Sequence, residues 1–240
     1  MTLKENFRRL LWKVGYDVAP FTPKWHPVAR RRRLMDVFQI DVVLDVGANV
    51  GHFAHELRHD LGFEGRIHSF EPTTAAFRTL HARAARDPKW TAFNFGLGSE
   101  TGRATINIAA NSESSSILEM LPAHVNAAPE SRFVATEDIE IRTLDSVFDD
   151  VCRPGERVYL KIDTQGFEGR VLAGAEGSLA RIDTVQIEMP LTPLYEGELA
   201  FSELSQLLLG KGYTIVGLEP GFADPGTGKL LQADGIFHRE

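Results

Sequence analysis

Short apolar runs alternate with amphipathic stretches along the chain after residue 41. The first run, Val42–Val46, is bounded by Gly47 and predicts a buried strand. Further strands are predicted over residues 66–70, 90–95, 158–162, 184–187, 213–218 and 235–238, and helices over 50–61, 73–86, about 167–181 and 200–211. Strands that alternate with helices predict an α/β fold with a mostly parallel sheet and helices on both of its faces.

Three segments depart from this alternation. Residues 104–108 and 139–141 are short strand-like stretches that predict an additional hairpin. Residues 109–137 contain a serine-rich run and two prolines, and predict a loop. A connection of this length is usually a functional lid or a disordered insertion. Residues 219–234 are rich in Gly and Pro and predict a loop between the last two strands.

The first 40 residues follow a different pattern, and we name them the basic arm, with a main domain over residues 41–240. Apolar residues recur there at helical spacing among Lys and Arg, which predicts a basic amphipathic helix. These apolar residues are Leu3, Phe7, Leu10, Leu11 and Val14. We expect the helix to pack on the parent domain or on a second subunit of a homodimer. The alternative is peripheral contact of residues 1–33 with an anionic membrane surface.

The rest of the basic arm contains prolines and a run of arginines. Pro20, Pro23 and Pro27 predict an extended connector after the helix. The run from Arg30 to Arg33 predicts a solvated face, and binding of an anionic substrate or a lipid head group is the alternative.

Charge separates the arm from the main domain. The formal charge of −7 consists of +6 in residues 1–40 and −13 in the remainder. An acidic main domain argues against a general nucleic-acid binder. The single cysteine, Cys152, excludes an intramolecular disulfide. Because the pattern shows neither a spanning apolar run nor a signal peptide, we expect a cytoplasmic protein, with membrane association through the arm as the alternative.

The strongest local motif directly follows the first predicted strand and opens a helix. It consists of Asp45, Gly47, Ala48, Asn49 and Gly51, a G-x-x-x-G spacing that differs from the G-x-G-x-x-G of dinucleotide binders. Glycines allow close backbone approach to a ligand, and amides at a helix start attract a carboxylate. Asp45 suits a cofactor with an amino group and a sulfonium cation. The alternative is a glycine-rich turn without a ligand.

The next two strands end in residues that suit the remainder of such a cofactor. Glu71, followed by Pro72, stands where an acidic side chain can accept hydrogen bonds from both ribose hydroxyls. The alternative for Glu71 is a carboxylate favoured by the N-terminus of the following helix. Asn94 and Gly96 follow the third strand, where an adenine would lie.

The fourth and fifth strands of the main sheet end in carboxylates. Lys161 and Asp163 are two residues apart and therefore point to the same side of a strand. Asp163 is our candidate base or orienting group for an acceptor hydroxyl, and Lys161 can tune its pKa or hold the alkoxide. A structural Lys–Asp pair is the alternative. Glu188 closes the next strand, and we expect further acceptor contacts from Ser115, Gln165 and Glu168.

Two metal hypotheses arise from these residues. Asp163 and Glu188 lie at the ends of neighbouring strands and could share a Mg²⁺, although we favour a metal-free site in which Glu188 binds a sugar hydroxyl. The run from His55 to His59 matches the H-E-x-x-H zinc motif. Helical geometry places both histidines, with His52, opposite the apolar face, so we expect them to point to solvent.

Several motifs together, in this order, make residues 41–238 resemble the FkbM-type methyltransferases. They are residues 43–51 (VLDVGANVG), 70–72 (FEP), 142–146 (RTLDS), 160–168 (LKIDTQGFE), 171–174 (VLAG) and 186–188 (QIE). The resemblance implies a class I, Rossmann-like methyltransferase fold with a seven-stranded sheet and a reversed last hairpin. It implies S-adenosylmethionine bound by Asp45, Gly47, Asn49, Gly51 and Glu71. Gln165 departs from the family, since many members carry a glutamate there.

The sequence therefore favours an O-methyltransferase acting on a hydroxyl, in keeping with the many family members that methylate hydroxyls of sugars, glycolipids or secondary metabolites. The expected partner is a small-molecule or glycolipid acceptor. Two alternatives remain at this point. One is an NAD(P)-dependent Rossmann-like oxidoreductase or epimerase, which the glycine spacing disfavours. The other is a non-catalytic α/β binding module.

Overall fold

The computed structural model describes residues 3–240, and the side chains from residue 5 onward. Met1, Thr2 and the side chains of Leu3 and Lys4, which the sequence places in the amphipathic pattern of the basic arm, lie outside the described part. The helices are α1 (Leu3–Trp12), α2 (Pro27–Val37), α3 (His52–His59), α4 (Thr74–Ala84), α5 (Pro122–Ala127), α6 (Leu144–Val151), α7 (Glu168–Ala173) and α8 (Phe201–Gly210). The strands are β1 (Val42–Val46), β2 (Arg66–Phe70), β3 (Trp90–Phe93), β4 (Gly96–Leu97), β5 (Gly102–Ala109), β6 (Phe133–Arg142), β7 (Val158–Ile162), β8 (Thr184–Pro190), β9 (Thr214–Pro220) and β10 (Gln232–His238).

The chain divides into two compact units, one ending at Gln39 and the other spanning Ile40–Glu240. The first unit contains the predicted amphipathic helix, α1, and a second helix, α2. The expected connector is shorter than predicted, because Pro27 begins α2 instead of extending the chain. Proline suits the first turn of a helix, where its missing N–H would have no partner. Arg32 and Arg33 are exposed as expected, whereas Arg31 is buried, so the arginine run is not one solvated face.

The second unit is built on a seven-stranded sheet in the order β3-β2-β1-β7-β8-β10-β9. The first five of these strands run parallel, and β10 runs antiparallel to both β8 and β9, which confirms the predicted reversed last hairpin. Strands β1 and β7 are completely buried, which explains why they are apolar except for Asp45 and Lys161. The chain runs outward from β1 to β3 and then returns to β7, so β1 and β7 flank the switch point of the sheet. Ligands of open α/β sheets bind at this point, beyond the carboxyl ends of the strands.

The predicted additional hairpin is present but longer than expected, and it belongs to a small sheet. Strands β5 and β6 pair antiparallel, and β4 adds to β6 in parallel. The predicted loop over residues 109–137 is wrong in two respects. It contains α5, and its last residues already belong to β6. The first half of β6 was not predicted as a strand because most of its side chains are exposed and polar, which resembles the composition of a loop.

The predicted helix over residues 167–181 is interrupted. Helix α7 ends before Gly174, and a short 3-10 turn follows at Ser178–Arg181. Between them Asp145 accepts backbone hydrogen bonds from Gly177 and Ser178, at 3.0 and 2.7 Å, which replace helical bonds. Gly174 itself lies against the carbonyl of Gly98, where a Cβ atom would come within 1.9 Å of the oxygen. Competing contacts, which are not local in sequence, therefore end the helix. No helix among the described residues is long and apolar enough to cross a bilayer.

The turn after β1 generates a prediction about stability. Gly47 has a φ of +77°, and a Cβ there would lie 1.8 Å from the carbonyl oxygen of Asp163. Gly62 has a similar φ of +70° but open space around it, so it is a matched control. We expect Gly62→Ala to cost about 1–2 kcal/mol of unfolding free energy for the left-handed backbone alone. Gly47→Ala should cost about 1–3 kcal/mol more, because the overlap adds to the strain. Urea denaturation of both variants measures the difference. Equal losses of unfolding free energy would show that the close contact between Gly47 and the carbonyl of Asp163 does not constrain residue 47.

Candidate active site

The carboxyl ends of β1 and β7 meet where the glycine turn crosses the sheet. The amide of Asp163 donates to the carbonyl of Val46 at 3.1 Å, which extends the strand pairing by one residue. Because Gly47 has no side chain, its backbone lies directly against the carbonyl of Asp163. The predicted cofactor turn and the predicted acceptor residue are therefore in contact at the switch point.

The amides of the glycine turn are used within the protein, which differs from the expectation that they are open to a ligand. Gly47 and Ala48 both donate to the carbonyl of Phe70 at 3.1 Å, and Gly51 donates to Ala48 at 2.8 Å. The first helical hydrogen bond of α3 runs from His55 to Gly51. The amides of His52 and Ala54 precede that bond, so they are first-turn donors that α3 directs toward this edge of the sheet.

Glu71 fastens the turn after β1 to the start of α4. Its Oε2 accepts from the amide of Asn49 at 2.8 Å, and its Oε1 accepts from the amide and the hydroxyl of Thr73 at 2.8 and 2.5 Å. Asn94 donates to the backbone carbonyls of Glu71 and Pro72 at 3.0 Å, which ties β3 to the same corner. Burial raises the pKa of the Glu71 carboxyl, and the three hydrogen bonds oppose that rise. The helix-start contact that was the alternative for Glu71 is therefore present, beside the glycine turn.

Asp45 lies beneath the glycine turn and has no exposed surface. Its Oδ2 accepts from the hydroxyl of Ser69 at 3.0 Å, and its Oδ1 is 3.8 Å from the ammonium of Lys161. Burial raises the pKa of Asp45, against the attraction of Lys161. The sequence groups Asp45 with the residues that touch the cofactor, but the structure places it one layer below the surface of the turn.

Lys161 joins the two halves of the site. Its Nζ donates to Oδ2 of Asp163 at 3.0 Å and lies over the ring of Phe53 at 5.4 Å from the centroid. Burial opposes the charged ammonium, but the carboxylates of Asp163 and Asp45 outweigh it and raise the pKa of Lys161. Lys161 is therefore a fixed cation between two carboxylates, and the predicted contact between Lys161 and Asp163 is confirmed.

Gln165 bridges the two carboxylates that the sequence places at neighbouring strand ends. Its Nε2 donates to Oδ1 of Asp163 at 2.8 Å and to Oε2 of Glu188 at 2.9 Å. Its Oε1 accepts from the hydroxyl of Tyr195 at 2.8 Å. The residue has a φ of +54°, a left-handed conformation next to Gly166, which turns the amide back over the strand end. A glutamine can donate to two carboxylates at once, whereas a glutamate at this position cannot.

Glu188 lies in the most acidic part of the site. Its Oε2 also accepts from Nε2 of Gln232 at 2.8 Å. Burial, followed by the charges of Asp163, Glu168 and Asp234, raises the pKa of Glu188 well above its usual value. Burial and the surrounding carboxylates thus both favour the neutral form of Glu188.

Two of the three predicted acceptor contacts have structural roles in the protein. Glu168 is almost fully buried, and its Oε1 accepts from the amide and the hydroxyl of Thr164 at 2.7 and 3.1 Å. Burial raises its pKa to about 7. Ser115 accepts a hydrogen bond from the amide of Ala109 at 3.1 Å, within its own loop. Gln165 is the member of the three that lies at the carboxylate pair.

The segment over residues 111–118, which we name the covering loop, crosses both halves of the site. Ser112 accepts from the side-chain amide of Asn49 at 3.3 Å. Ser116, which the sequence analysis missed in favour of its neighbour Ser115, donates to the carbonyl of Gln165 at 2.6 Å. The hydroxyl of Tyr195 also lies 3.3 Å from the carbonyl of Ser114. The covering loop is thus attached to the glycine turn and to the acceptor side.

The metal hypotheses have different outcomes. His52, His55 and His59 are exposed as predicted, so the H-E-x-x-H run faces solvent. For the hypothesis of a shared Mg²⁺, Asp163 and Glu188 do lie together, but protein donors occupy both. No group of three or more His, Cys, Asp or Glu side chains suited to a metal ion occurs in the part of the chain that the structure describes.

Sequence reasoning missed Tyr195 and Gln232 as parts of the site. Gln232 opposes Pro190 in the antiparallel pairing of β10 with β8, and Asp234 opposes Glu188. Tyr195 lies in the connection after β8 and reaches the site through its pairing with Met120. The available signal was the predicted reversed hairpin, whose last strand must place polar side chains beside those of β8. The register of β10 against β8 decides which of these polar side chains face each other, and the sequence pattern does not determine that register.

The edge of the sheet fits the sulfonium cofactor that the sequence suggests. The glycine turn brings backbone close to the strand ends, and Glu71 offers a carboxylate whose Oε2 accepts only one protein hydrogen bond. The first-turn amides of α3 can donate to an anionic group. The chemistry of the donor set therefore matches a ligand with hydroxyl groups and a carboxylate.

Comparisons with known proteins identify the family. The model of the methyltransferase FkbM domain matches residues 45–215, well over half of the chain. The chain is 28% identical over 202 residues to 31-O-demethyl-FK506 methyltransferase FkbM of Streptomyces tacrolimicus, covering 73% of this chain and 74% of that protein.

A solved structure shows the same fold. Methyltransferase FkbM from Methylobacillus flagellatus KT superposes with a TM-score of 0.51 at 17% identity, over 82% of this chain. The chain spans less than half of that protein, 43% of its length. The class I methyltransferase fold is confirmed, and with it S-adenosylmethionine as the methyl donor that the fold implies. The chain belongs to the FkbM family of methyltransferases.

Proposed function

We propose that this protein transfers a methyl group from S-adenosylmethionine to a hydroxyl oxygen of a sugar-bearing acceptor. The acceptor class includes glycolipids, polysaccharides and glycosylated secondary metabolites. The observation that carries the proposal is the cluster of Asp163, Gln165 and Glu188 at the switch point, in contact with the glycine turn through Asp163. The similar protein from Streptomyces tacrolimicus, whose name specifies a 31-O position, supports an oxygen acceptor.

The cluster suits a hydroxyl because its carboxylate oxygens can accept a proton and because the side chain of Asp163 is partly exposed. The Asp163 side chain is 34% exposed, so an acceptor can reach it. Each of its oxygens accepts one hydrogen bond from the protein and keeps a further lone pair for a hydroxyl. When bound, the donor supplies a methyl group activated by the sulfonium. Asp163 orients the acceptor oxygen and takes up its proton, and the ammonium of Lys161, 3.0 Å from Oδ2, holds the Asp163 side chain in place.

Glu188 and Gln165 are proposed to recognise a second hydroxyl of the same acceptor. A sugar presents neighbouring hydroxyls that both donate and accept, and a carboxyl beside a carboxamide can satisfy both roles. We propose that this occurs without a metal ion, because the ammonium of Lys161, 3.0 Å from Asp163, already supplies a cation beside the carboxylates and would repel a second one. Chelation with EDTA should therefore leave turnover unchanged.

Glu71 is proposed to bind the ribose hydroxyls of the donor. Glu71→Gln should weaken S-adenosylmethionine binding by about 10- to 100-fold, the value of a charge-assisted hydrogen bond. Glu137→Gln is the matched control, because the half-buried Glu137 caps the same helix at Thr74 with hydrogen bonds at 3.0 and 2.5 Å. Isothermal titration calorimetry measures both affinities. Equal affinities for Glu71→Gln and the wild type would remove Glu71 from the donor site.

The acceptor class is tested with extracts from cells that lack the protein. Purified protein and S-adenosylmethionine should add one CH₂, about 14 daltons, to a glycan-bearing component that mass spectrometry resolves. Asp163→Asn should lower that rate by about 100-fold or more, the usual contribution of a general base. Asp149→Asn is the control, since Asp149 is an exposed carboxylate that pairs with Arg181 away from the site.

Two results would contradict this assignment. Full activity of Asp163→Asn would show that the acceptor does not meet this carboxylate. Methylation confined to nitrogen or carbon acceptors would show that the hydroxyl assignment is wrong, while leaving the family membership intact.

A further inference from the structure

The segment from Phe7 to Trp25 exposes an unusual amount of apolar surface. Eight large hydrophobic side chains there are each more than half exposed: Phe7, Leu10, Trp12, Val14, Tyr16, Val18, Phe21 and Trp25. Soluble monomers rarely expose contiguous apolar surface on this scale, and such surface marks an interaction site. The sequence pattern predicts that this helix packs on the parent domain or on a second subunit, with contact to an anionic membrane surface as the alternative.

Helix α1 sorts its side chains by polarity. At 100° per residue, Phe7, Leu10 and Leu11 fall within an arc of about 100°. Arg8 and Arg9 lie outside that arc. Asp17 accepts from Arg8 at 2.5 and 2.6 Å and from the indole of Trp12 at 2.8 Å, which ties the segment after the helix back to it. These hydrogen bonds hold the stretch from Arg8 to Asp17, with the exposed ring of Trp12, together.

Positive charge accompanies this apolar surface along the arm. The first 40 residues carry a formal charge of +6, and the exposed Arg32 and Arg33 of α2 add to the basic residues around α1. Lys24 lies 4.9 Å from the centroid of the Trp25 ring, so a cation and an exposed aromatic ring occur side by side. Apolar, aromatic and basic groups thus alternate over a short distance.

We propose that the basic arm docks on a lipid surface that carries anionic head groups. Tryptophan and tyrosine favour the boundary between head groups and hydrocarbon. An amphipathic helix buries its apolar face at that boundary, while Lys and Arg remain among the anionic head groups. Contact with a second copy of the chain fits less well, because the cores of protein interfaces are depleted of charged residues. This inference concerns the arm and is independent of the acceptor proposed for the main domain.

Vesicle co-sedimentation of the full chain tests the docking. Vesicles of phosphatidylglycerol and phosphatidylcholine should carry the protein down, and vesicles of phosphatidylcholine alone should do so much less. Raising the salt concentration should weaken the binding, since head-group attraction is screened. Trp12 and Trp25 are exposed and Trp90 is buried, so a blue shift of tryptophan fluorescence on adding anionic vesicles reports on the arm.

Matched variants separate the arm from general surface effects. Leu10→Gln should weaken vesicle binding roughly tenfold, because one buried leucine is lost. Leu209→Gln replaces a similarly exposed leucine on α8 and should change nothing. Arg32→Gln and Arg33→Gln should each weaken binding to anionic vesicles by about fivefold. Far-UV circular dichroism checks that each variant remains folded.

Three outcomes would overturn the proposal. The first is absence of binding to anionic vesicles at low salt. The second is equal loss of binding in Leu10→Gln and Leu209→Gln. The third is self-association without vesicles that Leu10→Gln abolishes while vesicle binding is absent, which would identify a second copy of this chain as the partner.

Discussion

The buried ammonium of Lys161 is the interaction on which the rest of this site depends. It balances the carboxylate of Asp45, which has no exposed surface, and the carboxylate of Asp163 at the sheet edge. An unpaired charge in such a position would cost several kcal/mol, whereas a paired one is tolerated. Since Asp45 lies at the end of β1 and Lys161 is its neighbour on β7, the ion pairs also fix the two strand ends that flank the switch point. The glycine turn packs against the end of this ion-paired group, because Gly47 lies against the carbonyl of Asp163. Gln165 connects the group to Glu188 by donating hydrogen bonds to both Asp163 and Glu188.

Residues whose environment is set by strand position were predictable from the sequence. Strands buried on both faces are mostly apolar, so β1 and β7 were recognised although each contains one charged residue. A spacing of two placed Lys161 beside Asp163. Contacts between distant segments were not predictable. The hydrogen bond between Gln232 and Glu188 depends on the register of two antiparallel strands. Tyr195, which donates to Gln165, lies in a connection whose sequence has no hydrophobic periodicity. Beyond the end of helix α7, Asp145, more than thirty residues away in the chain, accepts from the amides of Gly177 and Ser178.

Family membership decides between the alternatives that the sequence left open. A G-x-x-x-G turn alone is compatible with several α/β proteins, but a methyltransferase domain matched over residues 45–215 is not compatible with an oxidoreductase assignment. The chemistry of the proposed acceptor site then indicates the kind of acceptor that it can bind. It gathers carboxyl and carboxamide groups, which bind hydroxyls, and a lysine ammonium 3.0 Å from one of the carboxylates.

The central claim is that Lys161 supports the site as the buried counter-ion of two carboxylates. Chemical denaturation of Lys161→Met tests it most directly, with Lys211→Met as the control, because Lys211 pairs with Glu176 at the surface. We expect Lys161→Met to lose about 3–5 kcal/mol of unfolding free energy, and the control about 1 kcal/mol or less. The loss should be larger at pH 8 than at pH 5.5, because the pKa of Asp45 is already raised by burial and protonation at lower pH relieves its unpaired charge. Equal, small losses in both variants at both pH values would contradict the account.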